Sequence, residues 1–189
     1  MRAQLASRNE YKLRELERAL AGWTLSLLET DEFPPEEGQS YEENARAKAR
    51  FGRAVGDGAA WILGEDSGIE VKALGGAPGV QSARWAQGEH VSRLLAALAG
   101  AGERGARYVC ALAAIAPDGR EVEARGVLEG RIADEARGVE GFGFDPVFVP
   151  AGETRTVAEL GNEWKGRHSH RARAAQSLRE AVEAAAAPT

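Results

Sequence analysis

The sequence predicts an α/β protein built around one mixed β-sheet, and three observations support that fold class. Segments with strand and helix periodicity alternate in the first half of the chain, as they do where helices join parallel strands. Two later strand-like segments flank Pro117-Asp118-Gly119, a turn in which proline presets φ and glycine accepts a positive φ. A last amphipathic segment predicts a closing helix, so we expect parallel and antiparallel strand pairs in one sheet with flanking helices.

The first half of the chain supplies the alternating elements. An apolar segment predicts a strand at 2–6, and apolar residues spaced three and four apart predict the helix that follows, which carries Leu13, Leu16 and Leu20. The next elements are a strand at 22–28, a helix at 41–55, a strand at 61–64 and a helix marked by Val91, Leu94, Leu95 and Leu98. Exposed or ordered loops are expected at the acidic segment 29–39 and at the glycine-rich segment 72–88.

The second half supplies the hairpin and the closing helix. Residues 107–116 form an apolar strand, and alternating apolar side chains predict its partner at 121–132. A glycine-rich loop at 138–146 leads into a short strand at 146–150. The final helix runs over 169–186 with Ala174, Ala175, Leu178 and Val182 on its apolar side. The sequence predicts no helix or strand for residues 151–168.

Length and composition indicate one cytoplasmic domain over residues 1–189. A chain of 189 residues buries a core without disulfides, and its single cysteine, Cys110, cannot form a bridge within the chain. The sequence shows neither a secretory leader nor an apolar run of about 18 residues. We therefore expect a soluble protein that makes no contact with a membrane.

The net charge argues against a nucleic-acid partner. The chain has a formal charge of -5 and no basic stripe, whereas proteins that bind duplexes usually present a basic surface. A small anionic ligand is compatible with this charge, because a local group of donors can bind an anion whatever the overall sign.

The segment Ser7-Arg8-Asn9-Glu10-Tyr11-Lys12 lies between a predicted strand and a predicted helix. A helix N-terminus presents free N–H groups and a dipole that favours an anion, and Ser7, Asn9 and Lys12 add donors beside it. Ser7 and Glu10 also fit a capping box, which would only stabilise the helix. The segment therefore predicts either a phosphate site or a helix cap.

Acidic residues in two other segments are candidates for binding a divalent cation. Glu43 follows Ser40 at the spacing of a capping box, but it is also a candidate metal ligand. Glu65 and Asp66 are adjacent, and adjacent strand residues face opposite sides unless the strand ends, as Ser67-Gly68 suggests. Mg²⁺ takes one or two carboxylates and leaves its other positions to water and phosphate. The alternative for this pair is a solvated turn.

Two later segments suit a nucleotide. Phe142 and Phe144 place two aromatic rings on a glycine-rich backbone, which suits stacking on a base or, alternatively, capping of the core. Lys165, His170 and Arg171 lie just before or at the predicted final helix, where the dipole disfavours cations. A bound anion would explain this cluster, whereas the spacing of its histidines does not suit a zinc site.

Five such blocks occur in the order found in one known family. They read SRNEYK, ENARAKA, EDSG followed by ALGGAPGVQSAR, GFGFDPVF, and KGRHSHR, between residues 7 and 171. Together they resemble the motifs of the Ham1-type nucleoside triphosphate pyrophosphatases, also called inosine/xanthosine triphosphatases. Three positions differ from the usual pattern: Ser7 stands for threonine, Glu65 for aspartate, and Phe144 for tyrosine or tryptophan.

The resemblance implies an elongated mixed sheet in two lobes around a central cleft, a homodimer, and a Mg²⁺-dependent reaction. The substrate would be a small-molecule nucleotide, namely ITP, dITP or XTP, cut to the monophosphate and pyrophosphate. Asp66 would be catalytic and, with Glu43, a metal ligand. The residues implied to bind substrate are Ser7, Arg8, Asn9, Glu10, Tyr11, Lys12, Ser67, Phe142, Gly143, Phe144, Asp145, Lys165, His170 and Arg171.

Within this set, the resemblance assigns phosphate and base contacts to different residues. Ser7, Asn9, Lys12 and Lys165 would hold the phosphates. His170 and Arg171 would donate to the C6 oxygen that hypoxanthine and xanthine carry and adenine lacks. Guanine has the same oxygen, so its rejection requires a contact at C2 that the sequence does not identify.

Two other functions are compatible with parts of the sequence. A pyrophosphatase of the related Maf type, acting on dTTP or UTP, would not need the GFGFDPVF and KGRHSHR blocks. A nucleotide sensor without catalysis would keep the base pocket but would not need Glu43 and Asp66. Release of pyrophosphate from a panel of nucleotides distinguishes all three functions.

Overall fold

Six strands form one mixed sheet. The computed structural model describes residues 1–85 and 88–186, where the strands are β1 (Arg2–Leu5), β2 (Thr24–Leu27), β3 (Trp61–Val71), β4 (Gly105–Ile115), β5 (Glu121–Ile132) and β6 (Phe148–Pro150). Their order in the sheet is β2-β1-β3-β4-β5-β6. β1 pairs in parallel with β2 and β3, and the other pairs are antiparallel. The predicted mixed sheet is confirmed, whereas the two lobes and the single-domain boundary stay predictions.

Helices flank this sheet. They are α1 (Glu10–Ala19), α2 (Tyr41–Val55), α3 (Ser82–Trp85), α4 (His90–Ala97), α5 (Val157–His168) and α6 (His170–Ala186). Side-chain oxygens of Asn9, Ser40 and Thr156 cap α1, α2 and α5, which explains where these helices begin. The structure describes no helix that is long and apolar enough to cross a membrane.

Alternation along β3 gives the sheet two packed faces. On one face, Leu63 packs with α1 and α6, and Ile69, further along the strand, packs with α4; we call this the α6 face. On the opposite α2 face, Gly64 has no room for a side chain, because a Cβ would lie 1.9 Å from the carbonyl oxygen of Ala45 in α2. Glycine at this position therefore allows α2 to approach the strand closely.

The prediction that the third strand ends at its acidic pair is wrong. β3 continues to Val71, and Glu65 and Asp66 pair in register with Leu112 and Ala111 of β4. Gly68 lies within this strand, and its lack of a side chain allows the segment that contains Gly79 to approach closely. A Cβ at Gly68 would lie 2.4 Å from the carbonyl oxygen of Gly79. The two carboxylates therefore stay in extended chain and project from opposite faces.

Sequence periodicity did not predict α5. Its start contains a capping box between Thr156 and Glu159, a signal that the sequence does carry. Gly161, with φ 87°, interrupts the helix and its apolar periodicity. Lys165 consequently lies in the last turn of α5, where the dipole favours cations. The dipole argument for an anion is therefore wrong for Lys165, whereas His170 and Arg171 do lie at the start of α6, as predicted.

The remaining loop predictions agree with the structure. The turn at 117–119 joins β4 to β5, with Ile115 paired to Glu121 and Gly119 at φ 89°. The glycine-rich segment 72–88 contains two 3₁₀ turns and α3, and residues 86 and 87 of that segment lie outside the described residues.

Candidate functional site

Two adjoining recesses lie beside the start of α1. The inner cavity has a volume of about 270 Å³ and is bounded by β3, the start of α6 and the loop before β6. The outer groove has a volume of about 880 Å³ and is bounded by the segment before α1, the loop between β2 and α2, and α3. Asn9, Lys12 and Ala83 line both. The inner cavity and the outer groove therefore form one continuous recess.

The start of α1 faces the outer groove, and its cap differs from the predicted one. Asn9 Oδ1 accepts hydrogen bonds from the N–H groups of Tyr11 at 2.9 Å and Lys12 at 3.3 Å, and Ser7 Oγ accepts one from Asn9 N at 3.0 Å. The proposed Ser7–Glu10 capping box is wrong, because Asn9 is the N-cap and Glu10 instead pairs with Arg14 on the exposed side.

Arg8 and Tyr11 join this segment to two loops. Arg8 donates to the carbonyl oxygen of Asp31 and lies 5.1 Å from the centre of the Phe33 ring, in the loop between β2 and α2. Tyr11 is 55% exposed, and its ring stacks on Phe142 with the centroids 5.3 Å apart. Arg8 therefore contacts Phe33 in the wall of the outer groove, and Tyr11 contacts Phe142 in the wall of the inner cavity.

Glu65 is buried on the α6 face and binds two cations. Its carboxylate lies 2.6 Å from Lys12 Nζ and 2.9 Å from Arg171 Nη2, and Arg171 also donates to Ser67 Oγ at 2.8 Å. Burial acts to raise the pKa of Glu65, but Lys12 and Arg171 outweigh it and hold the pKa well below its ordinary value. Glu65, which the sequence indicated only as a candidate cation ligand, therefore holds Lys12 and Arg171 in place, and Arg171 in turn bonds to Ser67.

Asp66 projects to the α2 face. Its Oδ2 accepts a hydrogen bond from Asn44 Nδ2 at 2.9 Å, and its Oδ1 lies 3.5 Å from Lys48 Nζ. Burial raises the pKa of Asp66 above its ordinary value despite the nearby ammonium group of Lys48. A raised pKa makes this carboxylate a stronger base than an exposed aspartate.

Glu36 and Lys48 are site residues that the sequence did not single out. The Lys48 ammonium group binds the carboxylates of both Glu36 and Asp66 and donates to the carbonyl oxygen of Glu65 at 3.1 Å. Arg84 Nη1 lies 3.2 Å from Glu36 Oε2. A signal for Lys48 was present in the ENARAKA block, but Glu36 stands in a loop that composition alone described as exposed.

Glu43 lies at the exposed start of α2. Its carboxylate accepts a hydrogen bond from Gln39 N at 2.7 Å, and its own N–H donates to Ser40 Oγ at 3.2 Å. Its neighbour Asn44, rather than Glu43, is the residue of this turn that bonds to Asp66. The contacts of Glu43 are those of a helix start, and its role as a metal ligand stays a prediction.

Glu15 is another site residue that the sequence did not indicate. Its Oε1 lies 2.5 Å from Lys165 Nζ, and its Oε2 binds Arg171. Lys165 also lies 2.6 Å from Asp145 Oδ2. All four side chains are buried, where a charge requires a partner. Lys165 is therefore enclosed by two carboxylates, and the Glu15 carboxylate joins α1 to α5 and α6.

Aromatic rings and a neutral imidazole form the rest of the inner cavity. The buried His170 ring stacks on Tyr108 with centroids 4.6 Å apart, and its Nδ1 has no hydrogen-bond partner in the part of the chain described. Burial and Arg171 lower the pKa of His170 well below its ordinary value, so this residue is neutral at pH 7. Phe144 is 5% exposed and packs in the core, as the capping alternative predicted.

The loop before β6 is anchored at Asp145. This carboxylate accepts hydrogen bonds from Phe142 N at 2.8 Å and Tyr108 Oη at 3.2 Å, in addition to its ion pair with Lys165. Gly143 adopts φ 62°, a conformation that favours glycine, and the preceding Phe142 ring stacks on Tyr11 and lines the cavity. Phe142 is therefore the partly exposed aromatic residue of this loop, and Phe144 the buried one.

Two carboxylates on different elements have the composition of a magnesium site. Glu36 and Asp66 converge on the single ammonium group of Lys48, and Mg²⁺ is held in proteins by one or two carboxylates, with water and phosphate oxygens as its other ligands. Residues 1–85 and 88–186 contain no cluster of three His, Cys, Asp or Glu side chains that could hold a metal ion. The donor set therefore fits a cation that is bound together with an anion.

The chain is similar in sequence and in structure to proteins of one known family. A sequence model of the Ham1 family matches residues 3–181. A dITP/XTP pyrophosphatase of Gloeobacter violaceus is 47% identical over 184 residues, covering 92% of this chain and 90% of the relative. That of Symbiobacterium thermophilum is 48% identical over 181 residues, with the same coverage. The structure of the Staphylococcus aureus Ham1 protein superposes with a TM-score of 0.84 at 31% identity, covering 98% of this chain and 100% of that one.

Proposed function

The chain belongs to the Ham1 family, and from this premise we propose that it hydrolyses ITP, dITP and XTP to the monophosphate and pyrophosphate. The two relatives above carry names that specify dITP and XTP. The observation that carries the proposal is the continuity of the inner cavity with the outer groove through Asn9 and Lys12. A partly aromatic recess that opens into a groove lined by cations suits a base and its phosphate tail.

In this proposal the purine occupies the inner cavity and the phosphates occupy the outer groove. The side chains of Ser7 and Lys12 line the groove and would donate to a phosphate, beside a helix start whose dipole favours an anion although Asn9 caps two of its N–H groups. Lys12 lines both recesses, so it would act at the α-phosphate between them. Lys165 is enclosed by Glu15 and Asp145 and would contact a phosphate only if one of these ion pairs opened.

His170 and Arg171 would recognise the C6 oxygen of the purine. Both line the inner cavity, and Glu65 and Glu15 hold the Arg171 guanidinium in place. Adenine presents an amino group at C6, which would leave donors facing each other. An unpaired buried donor costs about 1–3 kcal/mol, enough for a strong preference for ITP over ATP.

Asp66 would orient and deprotonate the attacking water. The water oxygen bonds to the α-phosphorus, its proton passes to the Asp66 carboxylate, and the bond from that phosphorus to the bridging oxygen breaks, so that pyrophosphate leaves. Burial raises the pKa of Asp66, which suits it to accept the proton. Glu36 and Asp66 would hold Mg²⁺, with Glu43 as the sequence-based alternative to Glu36. When bound, the ion would stabilise phosphate charge and lower the pKa of water.

The charge balance of the site supports a role for a divalent cation. Its cationic side chains are Lys12, Lys48, Arg84, Lys165 and Arg171, and its carboxylates are Glu15, Glu36, Glu65, Asp66 and Asp145. These formal charges cancel, and Arg8, Arg14 and Glu10 of the outer groove add only one net positive charge, so a triphosphate would bring uncompensated negative charge into the recess. A cation that enters with the substrate would offset that charge. The proposal also includes homodimeric assembly, which the family resemblance implies, and a cytoplasmic location, which the cysteine usage favours.

A nucleotide panel tests the proposed function. Pyrophosphate release is measured for ITP, dITP, XTP, ATP, GTP, dTTP and UTP, with and without Mg²⁺. The proposal expects release from the first three nucleotides and only with the metal. Turnover of dTTP or UTP would favour a Maf-type activity, and binding of ITP without any release would favour a sensor.

A further inference from the structure

We propose that His90 is a specificity-determining residue that recognises the C2 edge of the purine. This inference rests on the proposed function, because it places a purine in the inner cavity. His90 belongs to none of the five sequence blocks, so the motifs indicated no role for it.

His90 faces the inner cavity from the start of α4. Its half-buried imidazole lines the cavity and meets the Phe144 ring edge-on, with centroids 5.1 Å apart and an interplanar angle of 89°. Phe144 is itself fixed in the core beside Trp85. A rigid aromatic support therefore holds the imidazole at the cavity wall.

His90 and Arg171 belong to different walls of the cavity. Leu63 and Ile69 project from the same face of β3, but Leu63 packs with α1 and α6 whereas Ile69 packs with α4. These two positions are separated by ~20 Å along an extended strand. The part of β3 that lines the cavity, Ser67 to Ile69, reaches the boundary between the two clusters. A ligand above it has α6 on one side and α4 on another.

The His90 imidazole, like Nδ1 of His170, has hydrogen-bonding capacity that several other polar groups of the cavity lack. Tyr108 Oη donates to Asp145, and Lys165 and Arg171 are held in ion pairs. No hydrogen bond to the His90 ring occurs among the residues that the structure describes. An imidazole carries at least one N–H donor, and in His90 it is available to a ligand.

Among the proposed substrates, xanthine nucleotides carry an oxygen at C2 that an N–H group of His90 would bind. Hypoxanthine and xanthine are identical at C6 and differ at C2, where hypoxanthine has a hydrogen and xanthine a carbonyl oxygen. With His170 and Arg171 at the C6 oxygen, the neighbouring C2 edge faces another part of the wall. An N–H group of His90 donating to the C2 oxygen would favour xanthine over hypoxanthine.

The test compares the affinities of XMP and IMP, which require no turnover. Titration calorimetry is carried out on the wild-type protein, His90→Phe and His90→Gln. His90→Phe keeps an aromatic ring against Phe144 but removes the donor, so the ratio of XMP to IMP affinity should fall about tenfold, the loss expected for one hydrogen bond. His90→Gln supplies an amide N–H and should recover part of that ratio.

His168→Phe is the matched control, because His168 is exposed and lies outside the cavity, and it should leave the ratio at the wild-type value. An unchanged ratio in His90→Phe, including equal losses for both nucleotides, would overturn the inference, as would failure of the wild-type protein to bind either nucleotide. A shifted ratio without pyrophosphate release from ITP or XTP would support the role of His90 and count against the proposed function instead.

Discussion

Glu65 and Asp66 are neighbours in sequence but belong to different halves of the site. The strand directs Glu65 to the α6 face, where it binds Lys12 and Arg171, and Asp66 to the α2 face, where it meets Lys48. One carboxylate has its pKa lowered by two cations, and the other has its pKa raised by burial. An acid that stays ionised suits positioning, and an acid with a raised pKa suits proton transfer.

Substitution of Asp66 tests this division of roles. Asp66→Asn keeps the size of the side chain but removes the base, so pyrophosphate release from ITP should fall ~10²–10⁴-fold. Thermal unfolding is measured on the same sample and should show that the variant is folded. Turnover at the wild-type rate would exclude Asp66 from the reaction.

Glu36 and Glu43 are alternative candidates for the second carboxylate ligand of the metal, beside Asp66. Glu36 shares Lys48 with Asp66, whereas the Glu43 carboxylate bonds to the backbone at the start of α2. We expect Glu36→Gln to raise the Mg²⁺ concentration needed for half-maximal activity by at least about tenfold, and Glu43→Gln to raise it less. Magnesium titrations of both variants decide the point, and the reverse order would identify Glu43 as the ligand.

Local motifs indicated several residues of the recess, whereas distant partners carried no signal. Lys12, Phe142 and Arg171 stand in recognisable blocks and line the inner cavity. Asp66 stands in another block and contacts Lys48, which lines the outer groove, and the roles of these residues stay predictions. The partners of Lys165 and Arg171 include Glu15, which is far from both in sequence and occupies an ordinary position in an amphipathic helix. Sequence spacing carries no signal for such a long-range pair.

At the scale of elements, two glycines determine how closely helices approach the sheet. Gly64 allows α2 to lie on β3, and Gly126 allows α6 to lie on β5, since a Cβ at Gly126 would be 2.0 Å from the carbonyl oxygen of His170. The α6 contact is at the turn that carries His170 and Arg171. The position of these two residues in the cavity therefore depends on a glycine in a neighbouring strand.

Gly126→Ala tests that dependence. The added methyl group should push the start of α6 away from β5, destabilise the protein by about 1–3 kcal/mol, and reduce ITP turnover in the folded fraction. Gly58→Ala is the control, because a Cβ at Gly58 meets no atom within 4 Å. Denaturant unfolding and pyrophosphate release are measured for both variants; equal behaviour of the two would show that the close contact is unimportant.

Element-level prediction failed at two places for identifiable reasons. Ser67 and Gly68 have the composition of a turn and so predict too early an end for β3, whereas in the structure these small residues allow neighbouring segments to approach the strand. The periodicity does not predict α5 because Gly161 interrupts it, although the sequence carries the capping box of this helix. In both cases a glycine that serves packing or a kink gave the same local signal as a loop.

For the whole molecule, the buried neutral His170 links stability to pH. Its pKa is far lower in the folded protein than the ordinary value of 6.5, so below that pH the unfolded chain binds a proton that the folded chain does not. Folding is then disfavoured by up to ~1.4 kcal/mol per pH unit as pH falls. This penalty is absent above pH 6.5.

His170→Phe keeps a ring on Tyr108 and removes the titrating group. Denaturant unfolding of the wild-type protein and the variant between pH 5.5 and 7.5 should show that the wild-type free energy of unfolding falls more steeply on acidification. The slopes of the carboxylates are common to both proteins and cancel in the comparison. Parallel curves would mean that the imidazole is as free to bind a proton in the folded protein as in the unfolded chain.

The central claim for the whole molecule is that distant segments meet in one recess, where water attacks the α-phosphorus of a purine nucleoside triphosphate. Hydrolysis of ITP by the wild-type protein in H₂¹⁸O, with mass spectrometry of both products, tests this claim directly. Attack at the α-phosphorus predicts ¹⁸O in the monophosphate and none in pyrophosphate. Label in pyrophosphate, or release of orthophosphate in its place, would contradict the account.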